Sequence, residues 1–267
     1  VNVLDEILAT KLDEVTVLRQ PQTRDLLRSC ALDAPPARDF AGAIRRVDNS
    51  LAVIAELKRR SPSKGPLAPD LDPATTAKAY QAGGAAALSV LTDGPYFGGS
   101  VADLQDARTA TDLPALRKDF TIDEVQVYEA RAIGADAILL IAAAVPDDSL
   151  LADLHALALD LGLAVLVEAH DAHEVRRAVA AGARIVGVNS RDLSTFTEDL
   201  GVAETLAAML PPDVVGVAES AIRTPADAAR MGAAGFDAVL VGEALVRADD
   251  PAALVRDLSS ATVSRRR

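Results

Sequence analysis

Tryptophan is absent from this 267-residue chain, cysteine occurs once and aromatic residues make up only 3%. The lone Cys30 cannot close an intramolecular disulfide and has no metal-ligand partner at useful spacing. A disulfide-stapled framework is therefore excluded and a reducing compartment fits; Cys30 itself is expected to be a small, buried or half-buried residue. No apolar run approaches the ~18 residues that a membrane span needs. Val1 to Leu18 alternates charge with helical period where a signal peptide would carry an apolar core, so the expected location is cytoplasmic. Positive charge is in short supply, 27 Lys and Arg against 39 Asp and Glu, for a formal net charge of −12. Broad attraction to nucleic acid or to an anionic membrane is excluded, and any cations that matter must be local. No obligatory protein partner is implied. A G-x-G-x-x-G turn is also missing after the first strand, where the chain reads Ser61-Pro62-Ser63-Lys64-Gly65, which argues against a dinucleotide-binding open sheet.

What the chain does have is repetition. Short apolar, β-rich runs recur eight times, at Val53–Ala55, Ala87–Leu91, Pro114–Leu116, Ala137–Ile141, Ala164–Val167, Ile185–Val188, Val214–Val217 and Ala238–Val241. Segments of helical period lie between most of them, such as Ala74–Gln81, Ile122–Ile133, Asp147–Leu161, Ala172–Ala180 and Pro225–Met231. Glycine-containing phrases, among them Ile133-Gly134-Ala135 and Ala181-Gly182-Ala183, predict left-handed helix C-caps leading straight into the next strand. Continuous apolar strands must be covered on both faces, which requires a parallel sheet wrapped by helices. Eight regular units favour an α/β fold closed into a (β/α)₈ TIM barrel, expected over residues 51–258 of a single domain. Residues 1–50 form a helical extension, with one amphipathic helix near Leu4–Leu18 and a second helical stretch over Asp25–Ala31, expected to pack on the barrel near its mouth. Residues 259–267 form a short tail.

In such a barrel the carboxyl ends of the strands open into the active site, so polar residues interrupting a strand there carry functional weight. The first strand ends in Glu56-Leu57-Lys58, whose i, i+2 spacing aims both charges to one side. The third ends at Lys118, the fifth at Glu168, the sixth at Asn189 and Arg191, the seventh at Glu219 and Ser220, and the eighth at Gly242 and Glu243. Glutamates, lysines and an arginine converging on one mouth shift one another's proton affinities, as a general acid and base require. Structural ion pairing is the competing explanation, but six strands contributing at one end is hard to derive from stability alone. Backbone N–H groups after the seventh and eighth strands mark the usual phosphate position of this fold. His155, His170 and His173 have no spacing that suggests a metal site and are expected at the surface or as caps.

Five motifs stand out along the barrel: Ile54-Ala55-Glu56-Leu57-Lys58-Arg59-Arg60-Ser61-Pro62-Ser63, Ser89-Val90-Leu91-Thr92-Asp93, Leu116-Arg117-Lys118-Asp119-Phe120, Val188-Asn189-Ser190-Arg191-Asp192-Leu193 and Ala218-Glu219-Ser220. Through them the chain from Val53 to Leu258 resembles indole-3-glycerol phosphate synthase of tryptophan biosynthesis. The resemblance implies ring closure of 1-(2-carboxyphenylamino)-1-deoxyribulose 5-phosphate with loss of carbon dioxide and then water, without metal or coenzyme. It further implies that Lys118 is the general acid on the substrate carbonyl and Glu168 the base. Lys58 would bind the substrate carboxylate or act as second acid, and Glu56 would orient the lysines. Asn189, Arg191, Glu219 and Ser220 would complete the polar wall, while Leu91, Phe97 and Phe120 flank the aromatic ring. Ser61, the backbone at Ala221, and Gly242 with Glu243 would hold the phosphate. One departure stands out: the family usually reads Glu-Ser-Gly after the seventh strand, and this chain reads Glu219-Ser220-Ala221. If that position needs positive φ, alanine costs about 1 kcal/mol. The competing functions are a phosphoribosylanthranilate isomerase-like enzyme, which should lack the Glu56, Lys58 and Lys118 set, and a non-catalytic scaffold, which should have lost rim charges.

Overall fold

The computed structural model describes residues 3–45, 50–192 and 197–264. Eight parallel strands close into a barrel: β1 (Ala52–Leu57), β2 (Ala87–Leu91), β3 (Ala115–Lys118), β4 (Ala137–Ile141), β5 (Ala164–Ala169), β6 (Ile185–Asn189), β7 (Val215–Glu219) and β8 (Ala238–Val241). Each strand pairs with its sequence neighbours and β8 returns to β1, for example through Ile54 opposite Leu240. The eight expected runs all become strands, three with the expected bounds and five with one or both ends moved by one or two residues. The expected helices form as Pro73–Ala82, Glu124–Ala132, Asp148–Asp160, Ala172–Ala180, Leu200–Ala207, Pro225–Ala234 and Pro251–Ser259. Gly134 and Gly182 take φ of 89° and 88° just beyond their helices, as the cap argument requires. A further helix, Val101–Thr109, lies between β2 and β3; it buries only Asp103, Leu104 and Ala107, too thin an apolar stripe to read from the sequence.

Side-chain alternation divides the barrel into two apolar layers. Val53, Ala55, Leu88, Val90, Ile138, Leu140, Val165 and Val167 face outward beneath the helices. Ala52, Ile54, Ala87, Leu116, Leu139, Leu166, Val217 and Leu240 face inward and fill the bore. A strand buried on both faces needs apolar residues at successive positions, which is why period-2 polarity is missing from the sequence.

The N-terminal extension spans both ends of the barrel. Helix α1 (Val3–Leu18) lies over the mouth, α2 (Pro21–Asp33) packs beside Glu124–Ala132, and α3 (Phe40–Ile44) closes the opposite end. Phe40 and Ile44 are fully buried against Ala52, Ala87 and Ala238, the amino-terminal layer of the bore. Two expectations fail in the outer shell. Cys30 is exposed, because α2 buries only Ala31 and turns its cysteine to solvent. His155 is buried, because it falls on the inner face of its helix beside Leu151, Leu154 and Ala158.

Candidate active site

The inward parity that fills the bore with Ile54, Leu116, Leu166 and Val217 continues upward at i+2 to Glu56, Lys118, Glu168 and Glu219. The charged rim is thus the top layer of the same stack. Lys58 Nζ sits 2.6 Å from Glu56 Oε1, and Ser89 on the neighbouring strand donates to Glu56 Oε2 at 3.1 Å. Burial works against ionisation of Glu56, yet Lys58, Lys118 and the Ser89 hydroxyl together hold its carboxyl below the usual range.

Lys118 bridges two carboxylates, 3.2 Å from Glu168 Oε2 and 3.3 Å from Glu219 Oε2. Burial alone would lower its proton affinity, but Glu168, Glu219 and Glu56 outweigh it and keep the ammonium charged well above the ordinary lysine range. The two glutamates then diverge. Glu168 is desolvated, but Lys118, His170 and the Asn189 amide, 3.0 Å from Oε1, hold it ionised far below the usual value. Glu219 is desolvated as well and faces the negative Glu168, which together outweigh Lys118, so it is pushed up to about 8. One buried pair therefore contains a carboxylate and a carboxylic acid at neutral pH, the division a base and an acid require.

Room for these groups is made by glycine. A Cβ at Gly187 on β6 would stand 2.0 Å from Glu219 Oε1, and one at Gly242 would stand 2.5 Å from Glu56 Oε1 and 3.2 Å from Lys58 Nζ. Neither glycine has positive φ; both are needed for close approach.

Two adjoining clefts share Glu56, Lys58, Lys118, Arg191 and Ser220. The larger, about 870 Å³, is walled by Leu91, Phe97, Phe120, Leu139 and Ile141, and roofed by Val3, Leu4 and Ile7 of α1. Phe97 and Phe120 lie with ring centroids 6.1 Å apart. The smaller, about 490 Å³, is polar and contains Ala221, Arg223, Gly242 and Glu243. Of the four positions expected to hold phosphate, Ala221, Gly242 and Glu243 come together in the smaller cleft, whereas Ser61 lies in the larger one, its hydroxyl accepting the Lys64 N–H at 3.2 Å. Ala221 has φ of 61° and Ser220 of 65°, so two consecutive non-glycine residues occupy the left-handed region at this corner. Arg191 binds Glu198 and the Ser63 hydroxyl, tying the loop after β6 to the loop after β1. Among the described residues no group of three or more His, Cys, Asp or Glu is arranged to hold a metal ion, and no helix is long and apolar enough to cross a membrane.

Three contributors escaped the sequence reading. Lys11, 1% exposed, reaches from α1 to Asp93 and Asp119, both at 3.0 Å, beside the strand ends that carry Leu91 and Lys118. Its signal was a charge on the apolar stripe Ile7, Lys11, Val15. His170, expected at the surface or as a cap, lies largely buried with Nε2 3.2 Å from Glu168 Oε1 and Nδ1 3.0 Å from Glu174. It stands at i+2 from Glu168, the relation that pairs Lys58 with Glu56. Arg223 enters the polar cleft from the loop after β7 with no distinguishing motif.

A charged rim of this kind is found on many barrels, so the decisive comparison is along the whole chain. Residues 4–258 match the family model described as indole-3-glycerol phosphate synthase. The chain belongs to that family. It is 51% identical over 263 residues to the indole-3-glycerol phosphate synthase of Roseiflexus castenholzii, covering 96% of this chain and 97% of the relative. It is 48% identical over 260 residues to that of Laribacter hongkongensis, covering 96% and 98%. Among solved structures, 3-hexulose-6-phosphate synthase from Salmonella typhimurium superposes with a TM-score of 0.63 at 16% identity, over 78% of this chain and 97% of that one, a likeness of fold alone. The match begins within α1 and runs to the last helix, so it covers the N-terminal helices of this chain as well as its barrel.

Proposed function

We propose that the chain is an indole-3-glycerol phosphate synthase, closing the pyrrole ring of 1-(2-carboxyphenylamino)-1-deoxyribulose 5-phosphate. The observation that carries this reading is the place of Lys118, an ammonium at the junction of an apolar cleft and a polar one. The substrate has the same division, an aromatic ring at one end, a phosphate at the other and a ketone between them. With the ring against Leu91, Phe97 and Phe120 and the phosphate near Ala221 and Gly242, the carbonyl falls beside Lys118.

The ammonium then stabilises the oxygen on which charge develops as the carboxyl-bearing ring carbon attacks, and the new alkoxide, more basic than an amine, takes its proton. Loss of carbon dioxide restores the aromatic ring. Dehydration follows: Glu168 removes the proton from the carbon next to nitrogen while the hydroxyl leaves as water. Two groups are placed to protonate that hydroxyl, Lys58 and the protonated Glu219. Lys58 and Arg191 supply the positive charge that meets the substrate carboxylate, and Glu56 keeps Lys58 in position. Mixing the purified chain with this substrate should produce the fluorescence of an indole product; no product at any pH between 6 and 9 refutes the reading.

A further inference from the structure

His170 follows β5 and brings its ring up to Glu168. Its side chain is 13% exposed and is held from behind by Glu174, whose Oε2 accepts the His170 backbone N–H at 2.8 Å and lies 3.0 Å from Nδ1. This arrangement fixes the ring and directs Nε2 toward Glu168 Oε1 at 3.2 Å. Nε2 stands at this distance without meeting full hydrogen-bond geometry, so its proximity and the charge of the ring together act on Glu168. Burial alone would discharge the imidazole, but Glu168 and Glu174 on its two sides push it up to about 10.

The need for this charge arises during turnover. In the free protein Glu168 is balanced by Lys118 on Oε2. Once Lys118 turns to a substrate oxygen, that balance is withdrawn, and a carboxylate 3% exposed would take up a proton and cease to be a base. His170 approaches the other oxygen, Oε1, and does not line the cleft that Lys118 faces, so it stays with Glu168 when Lys118 turns to substrate. We propose that His170 is a positioning residue that supplies the counter-charge of Glu168 while Lys118 is engaged with substrate. The inference rests on the synthase reading. The charged groups around the ring are Glu168 from β5 and Glu174 from the helix Ala172–Ala180, with Arg191, Asp192 and Asp199 across the open cavity of about 1030 Å³ that His170 and Glu174 line.

The test uses His170→Ala and His170→Asn in the full chain, together with Glu174→Gln, which keeps the ring and an acceptor behind it but removes the second negative charge that holds the imidazole protonated. Loss of a neighbouring positive charge raises the proton affinity of Glu168 in the substrate complex. The acid limb of kcat should therefore move to higher pH by about one unit in both His170 variants, so that kcat at a fixed pH below the limb falls roughly tenfold while KM stays within about twofold. Glu174→Gln should move the limb in the same direction by less. An acid limb that superimposes on wild type in either His170 variant, or a loss confined to KM, overturns the proposal. The chain has only three histidines, so the ring ¹⁵N resonances of the unmodified protein give an independent measurement. They should show His170 doubly protonated through pH 8, and a neutral ring at pH 7 overturns the proposal whether or not any variant folds. If the wild-type chain makes no indole product, it is the synthase reading that has failed, while the resonance measurement still decides the charge of His170.

Discussion

Replacing Lys11 with methionine tests how the N-terminal helix is fastened over the mouth. The Lys11 ammonium is 2.8 Å from Glu14, 3.0 Å from Asp93 and 3.0 Å from Asp119, with side-chain exposures of 1% for the lysine against 42%, 0% and 4% for its partners. Glu14 is open to solvent and loses little. Asp119 retains Arg117 at 3.4 Å and the Thr92 hydroxyl at 2.5 Å. Asp93 keeps the Tyr96 and Phe97 N–H groups on Oδ1, but Oδ2 is left with no partner. One buried carboxylate is thus uncompensated and a second weakened. Breaking a buried pair from one side costs about 3–5 kcal/mol, and the surviving contacts of Asp119 place this case near 3. For a chain of this size that corresponds to a fall in Tm of roughly 6–10 °C. Urea and thermal unfolding of both proteins measure it, and Asp93→Asn in the Lys11→Met background should recover at least half, since a neutral amide needs no cation. Lys11 has its proton affinity raised above the ordinary 10.5 because Asp119, Glu14 and Asp93 outweigh the effect of burial. On the lysine side its contribution is therefore complete below about 10.5 and lost as pH rises through the folded value, so in alkali the gap between wild type and variant should narrow. Because Val3, Leu4 and Ile7 roof the larger cleft, KM should rise as well. A stability loss under about 1 kcal/mol, or no recovery with Asp93→Asn, refutes the reasoning.

Lys118→Met should abolish turnover while circular dichroism and substrate binding stay close to wild type; near-normal turnover would exclude Lys118 as the acid. Ala221→Gly relieves a left-handed alanine at φ 61°, which should stabilise the fold by about 1 kcal/mol and lower KM or leave it unchanged. A marked rise in KM would show that the corner is adapted to alanine. Glu219 is raised to about 8 from 4.5, so the stability tied to its protonated form is complete below 4.5 and lost as pH climbs to about 8. Glu219→Gln should be flatter than wild type over that range in a pH series of urea midpoints. The same variant should lose most turnover if Glu219 protonates the leaving hydroxyl, whereas full activity assigns that proton to Lys58.

The barrel was legible in the sequence because parallel strands covered on both faces leave continuous apolar runs, and because residues of one parity rise in a column. Glu56, Lys118, Glu168 and Glu219 each stand two residues beyond an inward apolar residue, so chain order alone placed them on one rim. His170 obeyed the same rule and was passed over, since a helix start two residues after a strand reads equally well as a cap. Lys11 was hidden for the opposite reason: a lysine on an apolar stripe declares itself only when two carboxylates from distant strands are seen to meet it. The exposed Cys30, the buried His155 and the separation of Ser61 from Ala221 depend on which way a helix or loop turns, which local pattern does not encode. The raised proton affinity of Glu219 follows from its burial where three strands bring Lys118 and Glu168 to it, and has no counterpart in the chain order.

Gly187 and Gly242 give the rim a property that is easy to overlook because it consists of missing atoms. Each glycine is the mould into which a facing carboxyl is cast, Glu219 in one case and Glu56 in the other. A larger residue at either position displaces the acid, and a shorter acid leaves a hole against the glycine, so the two members of each pair can change only together. Libraries that vary the charged residues one at a time will therefore find mostly failures, and a reshaped pocket will be reached through glycine and glutamate substituted in the same step.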